Sequence, residues 1–252
     1  MSDGTLSTTI PLPTTIPATA SPHQSKDAPF YLIMSMASAS LVFLGFVRSY
    51  YLKSYFGTPQ LRPLLHLHGL VFTAWMIFFV LQTALIASNR PGLHRRLGYA
   101  GGILACGMVF LGLLVAFSAE RLGHGNPLVD AETVFLISLG DILTFAIFIG
   151  AGFLWRHNRE MHQRFMLLAV VAGLLSAAIP RLPFIGGHPA RMGITGLAFL
   201  FAGPIYDLVV RRRIHTVYIS GCLFSLATFV PIRIALAATP AWHHMAKWLT
   251  GF

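Results

Sequence analysis

Residues 63 to 88 read PLLHLHGLVFTAWMIFFVLQTALIAS. Proline is tolerated in a first helical turn, and the residues behind it are apolar for the ~20 positions a helix needs to cross a hydrocarbon core. Two histidines, His66 and His68, stand at the start of this run. Residues two apart on a helix point about 200° apart, so the two rings cannot face one neighbour. His68, Trp75, Gln82 and Asn89 recur at heptad spacing and form one stripe, whereas His66 shares its face with Thr73 and Val80. The spacing turns His68 into the bundle and leaves His66 nearer the interface; contacts of both rings with headgroups or water are the alternative.

Similar runs fill the rest of the chain, at about residues 30–51, 96–118, 133–155, 164–179, 194–210 and 214–238. Hydrophobic residues make up 55% of the sequence and charged residues 10%, against roughly 25% charged in soluble proteins. The expected fold is therefore an all-α polytopic membrane bundle of about seven helices, occupying residues 28–240. Gly203-Pro204 predicts a kink in the sixth span. Ahead of the bundle, residues 1–27 are rich in Thr, Pro and Ser and lack the apolar core of a secretory signal, which predicts a disordered cytoplasmic tail. Behind it, residues 241–252 carry Trp242, His243, His244, Lys247 and Trp248, the composition of a short interfacial helix.

The formal net charge is +10, and the arginines cluster in short loops between apolar runs. That distribution speaks for membrane orientation and contact with anionic lipid, and against nucleic acid. Lys26, Arg90, Arg95, Arg96, Arg156, Arg159, Arg164, Arg211, Arg212 and Arg213 fall on the amino-terminal side. The opposite side holds fewer cations, together with Glu120, Asp130 and Glu132, so the amino terminus is expected in the cytoplasm and the carboxy terminus outside. Cys106 and Cys222 each lie inside an apolar run and read as small packing residues.

Ionisable residues inside spans face the bundle interior or a wet cavity, which makes each a site candidate. Asp141 falls near the centre of the fourth span and needs a partner; Arg233, Tyr218 or the His68 stripe could supply it. On the seventh span His215, Tyr218, Cys222, Ser225, Phe229 and Arg233 follow helical spacing, either to pack on another polar helix or to line a path. Asp207, one turn before Arg211, reads as an ordinary interfacial ion pair. LHRRLGYAG at 93–101 and MHQRFMLLA at 161–169 both place H-x-R-[LF] at the start of a span, a pattern of two related helix pairs or of chance. The two histidines, His94 and His162, can supply axial imidazoles to a haem b, with Arg95, Arg96 or Arg164 for its propionates; contact with lipid headgroups is the alternative. Near the outer face His66 and His68 share their depth with Arg48, Arg181 and Arg233, a rim suited to an anionic or quinone-like group. No HxxxH or HExxH places two zinc ligands on one helical face.

The succession FGTPQL, HLHGLVFTAW, HRRLG and, later, LGD resembles a group of uncharacterised bacterial multi-pass membrane proteins. That resemblance implies a bacterial inner-membrane location and brings no activity. A remoter similarity is to transmembrane diheme b-type cytochromes, with His68, His94 and His162 in plausible positions; a fourth ligand is absent from span four. The expected function is a haem-binding or quinone-linked redox membrane protein, with His68, His94, His162 and Arg233 as cofactor-binding residues. The alternatives are a carrier or lipid- or anionic-solute-binding protein using Asp141 and Arg233, and a non-catalytic subunit of a membrane complex.

Overall fold

The computed structural model describes residues 26–123 and 129–251. Most of the expected tail therefore lies outside the described residues. Among the described residues seven helical segments are long and apolar enough to cross a bilayer, so the chain is an all-α, multi-pass membrane protein. The first span joins α1 (Ala28–Phe46) to a π-helical turn at Val47–Tyr51. Then come α2 (Pro63–Ala87), α3 (Pro91–Arg121) and α4 (Ala131–Leu154). The fifth span is composite: α5 (Arg159–Gly173), α6 (Leu175–Ala178) and a 3-10 turn at Ile179–Arg181. α7 (Pro189–Arg211) is the sixth. The seventh divides into α8 (Thr216–Ala227) and α9 (Val230–Ala237), and α10 (Pro240–Thr250) closes the chain.

Consecutive spans pack as antiparallel neighbours from the first to the fifth, and α5 also meets α1, α7 and α8. The fifth span is the most enclosed of the seven. Its sequence explains this, because Leu167, Leu168, Ala169, Val170 and Val171 are all buried, and a helix apolar on every side belongs in the centre. Glycines allow close approach of backbones, as at Gly45, where a Cβ would lie 2.6 Å from the Ala178 carbonyl oxygen, and at Gly173, where it would lie 2.8 Å from the Phe145 backbone.

Three expectations need correction. Asp27 belongs to the bundle, not to the tail: it is buried at the start of α1, where its carboxylate meets Arg211 and accepts from the Tyr206 hydroxyl at 3.1 Å. The fifth span begins at Arg159, ahead of the expected residue 164, because Asn158 caps it by accepting from the Met161 N–H at 3.2 Å. The seventh span is not one helix. Pro231 stands in the first turn of α9, where the missing N–H costs nothing, and the chain breaks at Thr228–Phe229.

Candidate functional site

Arg164 and Asp207 are 0% and 1% exposed, and the guanidinium holds the carboxylate through two bonds, Nε to Oδ2 at 2.9 Å and Nη2 to Oδ1 at 2.7 Å. The third guanidinium nitrogen, Nη1, reaches Glu160 at 2.5 Å, and Glu160 also accepts from Arg211 at 2.8 Å. Asp207 is thus no simple interfacial partner of Arg211, whose Nε stands 3.5 Å away; its principal partner is Arg164. Arg164 in turn is committed to this network and is not free for a bound carboxylate. His215 caps α8, its ring Nδ1 accepting from the Val217 N–H at 3.2 Å while its backbone N–H donates to Asp207 at 3.2 Å. Burial, with Arg164 nearby, holds the His215 ring below its ordinary pKa. Tyr218 lies under the Arg164 guanidinium, 5.5 Å from ring centre to Cζ, and its hydroxyl is 3.3 Å from that of Tyr31. These contacts tie the first, fifth, sixth and seventh spans together.

A second polar cluster forms at the break in the seventh span. Arg233 donates to Asp141 at 2.7 Å, to the Ile137 carbonyl at 2.6 Å and to the Thr228 carbonyl at 2.5 Å, and the Ser176 hydroxyl donates to Asp141 at 2.6 Å. Arg233 thereby satisfies a carbonyl freed where α8 ends. Both residues named as candidates are therefore engaged with each other, and Arg233 is not among the residues that line the cavity beside the histidine pair described next.

His94 and His162 come together. Each is the fourth residue of its helix, α3 and α5, and their ring centres are 6.1 Å apart at an interplanar angle of 75°. The Nδ1–H of His162 donates to the Gly152 carbonyl at 2.7 Å, which leaves the lone pair on Nε2. The His94 ring lies beside the Gln82 backbone, and its enclosed Nδ1 has no partner. In both hairpins, α2–α3 and α4–α5, a histidine on the second helix thus packs against the backbone of the first, as the repeated H-x-R-[LF] suggests.

The pair opens onto a cavity of about 440 Å³ between the first five spans. Its walls are mainly apolar, with Phe78, Phe79, Phe153 and Met166, and Tyr31, Trp75 and Gln82 also line it. Trp75 Nε1, Gln82 Oε1 and Gln163 Nε2 are enclosed and have no hydrogen-bond partner, as does His94 Nδ1. Arg95, Arg156 and Arg159 line the same cavity and are exposed, and none has a carboxylate partner among the described residues. Gly98, one turn beyond His94, also lines it, and a Cβ there would meet nothing within 4 Å.

His68 is half-buried with its ring centre 4.1 Å from that of Phe72, and His66 is exposed. His68 is not among the residues lining the cavity, although Trp75 and Gln82 of its stripe are. Sequence reasoning missed Tyr31, Arg156, Arg159 and Gln163. The signal for Arg159 and Gln163 was the second H-x-R motif: a helix start moved one turn earlier would have put them on one helix with His162.

The ring centres of His94 and His162 stand 6.1 Å apart. With about 2 Å for each metal–nitrogen bond and a ring radius on either side, opposed imidazoles have centres about 6 Å apart. The carbonyl bond on His162 Nδ1 is the outer contact that orients metal-ligating histidines. No family model, curated protein or solved structure matches the chain.

Proposed function

We propose that this membrane protein is a redox protein that binds haem b, with His94 and His162 as the axial ligands. The observation that carries the reading is the 6.1 Å separation of two rings supplied by helices remote in sequence, at the mouth of a mainly apolar cavity. A bound haem would supply one-electron transfer, to or from a quinone-like molecule of the bilayer or a protein partner. The Gly152 carbonyl orients His162, Gly98 leaves room beside His94, and Arg95, Arg156 and Arg159 offer charge-assisted bonds to propionates. Phe78, Phe79 and Phe153, which line the cavity, would keep water from the bound group.

The test is the absorption spectrum of protein purified after expression with ample haem. A Soret band is expected in the wild type and in His66→Ala and His68→Ala, and its loss in His94→Ala and His162→Ala. A colourless wild type from haem-replete cells, or a band unaffected by both cavity histidines, refutes the reading. The unpaired arginine rim favours one second reading, an anionic amphiphile in the same cavity, which predicts colourless protein whose bound anion is lost in Arg156→Gln and Arg159→Gln.

A further inference from the structure

We infer that the groove between the sixth and seventh spans is a binding site for an anionic phospholipid, with one acyl chain along the groove and the phosphate at Arg212 and Arg213. The groove has a volume of about 310 Å³ and is lined by side chains of α7, α8 and the turn between them, including Phe201, Leu208, Ile214, Ile219 and Leu223. The two spans meet closely where Gly203 lets the Tyr218 ring in: a Cβ at Gly203 would stand 2.4 Å from it. Pro204, inside α7, removes a backbone donor just there, and the Cys222 thiol faces the Leu200 carbonyl at 3.9 Å. On either side of that contact the facing side chains leave Leu208, Ile219 and Leu223 half-exposed or more, in a trough of apolar surface.

Two features select the occupant. From Ile214 to Leu226 the groove wall runs twelve residues, roughly 18 Å, slightly more than half of the ~30 Å hydrocarbon core. It therefore takes a chain from one leaflet only. At the surface end Arg212 and Arg213 are exposed and have no carboxylate partner among the described residues, whereas the adjacent Arg211 is occupied by Asp27 and Glu160. Arg212 is held at φ 57° as the cap of α7, so its backbone turns sharply at the end of the groove. Charge at the surface and an apolar trough below it match a lipid phosphate and its chain, and a neutral chain alone would leave the two guanidinium groups without a counter-charge.

The test is native mass spectrometry of the full chain reconstituted in equal mixtures of phosphatidylglycerol and phosphatidylcholine. Wild type is expected to retain phosphatidylglycerol at least fivefold over phosphatidylcholine. Arg212→Gln with Arg213→Gln should abolish that preference, and Leu223→Trp, which fills the trough on a bilayer-facing position, should reduce retention of both lipids. Arg213→Gln alone serves should the double variant not fold, with a partial loss expected. Equal retention of the two lipids by wild type overturns the inference, as does an unchanged preference in the arginine variants. A dimer whose formation is blocked by Leu223→Trp also overturns it, by assigning the groove to a second copy of the chain.

Discussion

Replacing Asp207 by asparagine keeps the shape of the side chain and removes its charge from a guanidinium that is completely enclosed. In the wild type two short bonds join Arg164 to Asp207, and the His215 N–H takes a third position on the carboxylate at 3.2 Å. Breaking a buried pair by removing one partner costs about 3–5 kcal/mol, because the other charge stays buried without compensation. Glu160 continues to hold Nη1 at 2.5 Å and Tyr218 still offers its ring face, so the loss belongs at the lower end, about 3 kcal/mol. Arg164→Met combined with Asp207→Leu removes both charges and fills the same space, and should recover most of that loss. The assay is unfolding by a denaturing detergent in mixed micelles, followed by tryptophan fluorescence, for wild type, Asp207→Asn, the singles Arg164→Met and Asp207→Leu, and their double. A single-variant loss below about 1 kcal/mol, or a double variant as unstable as the two singles summed, refutes the argument that the pair acts as a unit of buried charge.

At the break in the seventh span, Arg233→Leu should destabilise more than Asp141→Asn in the same assay, by about 1–3 kcal/mol, because it strands the Thr228 carbonyl as well as a carboxylate. Gly173→Ala should cost about 1–3 kcal/mol, since its methyl group meets the Phe145 backbone, which cannot swing aside as a side chain can. Gly98→Ala should instead be neutral or stabilising by up to ~1 kcal/mol, while Gly98→Leu should leave unfolding unchanged yet abolish the Soret band. Asp130 caps α4 by accepting from the Thr133 N–H at 2.7 Å, and that bond holds its carboxylate below the ordinary value of 3.8. Its contribution, about 1 kcal/mol, is therefore present above that value and lost as pH falls through the lower folded value. Asp130→Ala should show the loss at neutral pH as faster amide exchange in the first turn of α4.

The spans were legible because the bilayer imposes one rule, ~20 apolar residues, that needs no knowledge of neighbours. Helix ends were less so. Arg159 begins the fifth span, but a charged REMHQR turn does not look like membrane helix until Asn158 is seen capping it and Arg164 is seen neutralised by Asp207. The break at Thr228 has a proline as its sequence mark, yet its stability depends on Arg233 reaching back to the Thr228 carbonyl, a contact that periodicity cannot supply. The stripe at heptad spacing did pick out Trp75 and Gln82 as inward-facing. What it could not reveal is that the stripe serves a cavity at one end and leaves His68, on the same face, at the other. Partner choice is decided by three-dimensional proximity, which is why Asp207 was matched to its neighbour in sequence and not to the distant Arg164.

The two charge networks also say where the bundle is rigid. One joins Asp27, Glu160, Arg164, Asp207 and Arg211 from the first, fifth and sixth spans, and the other joins Asp141 to Arg233 and Ser176 from the fourth, seventh and fifth. Among the described residues no ion pair reaches α2 or α3. That hairpin is held by packing, as where Phe78 lies against Gly101 of α3, and by hydroxyl contacts of α2 such as Ser35 to Thr83 at 2.7 Å. His94 therefore stands on an element without an ion pair among the described residues, and His162 on α5, which carries Glu160 and Arg164 of the larger network. A ligand held by both would supply the cross-link that α3 lacks, so its binding energy would appear as stability of the α2–α3 hairpin. On the proposed reading, one bound ligand would meet both the want of ion pairs on that hairpin and the unpartnered groups on the cavity residues.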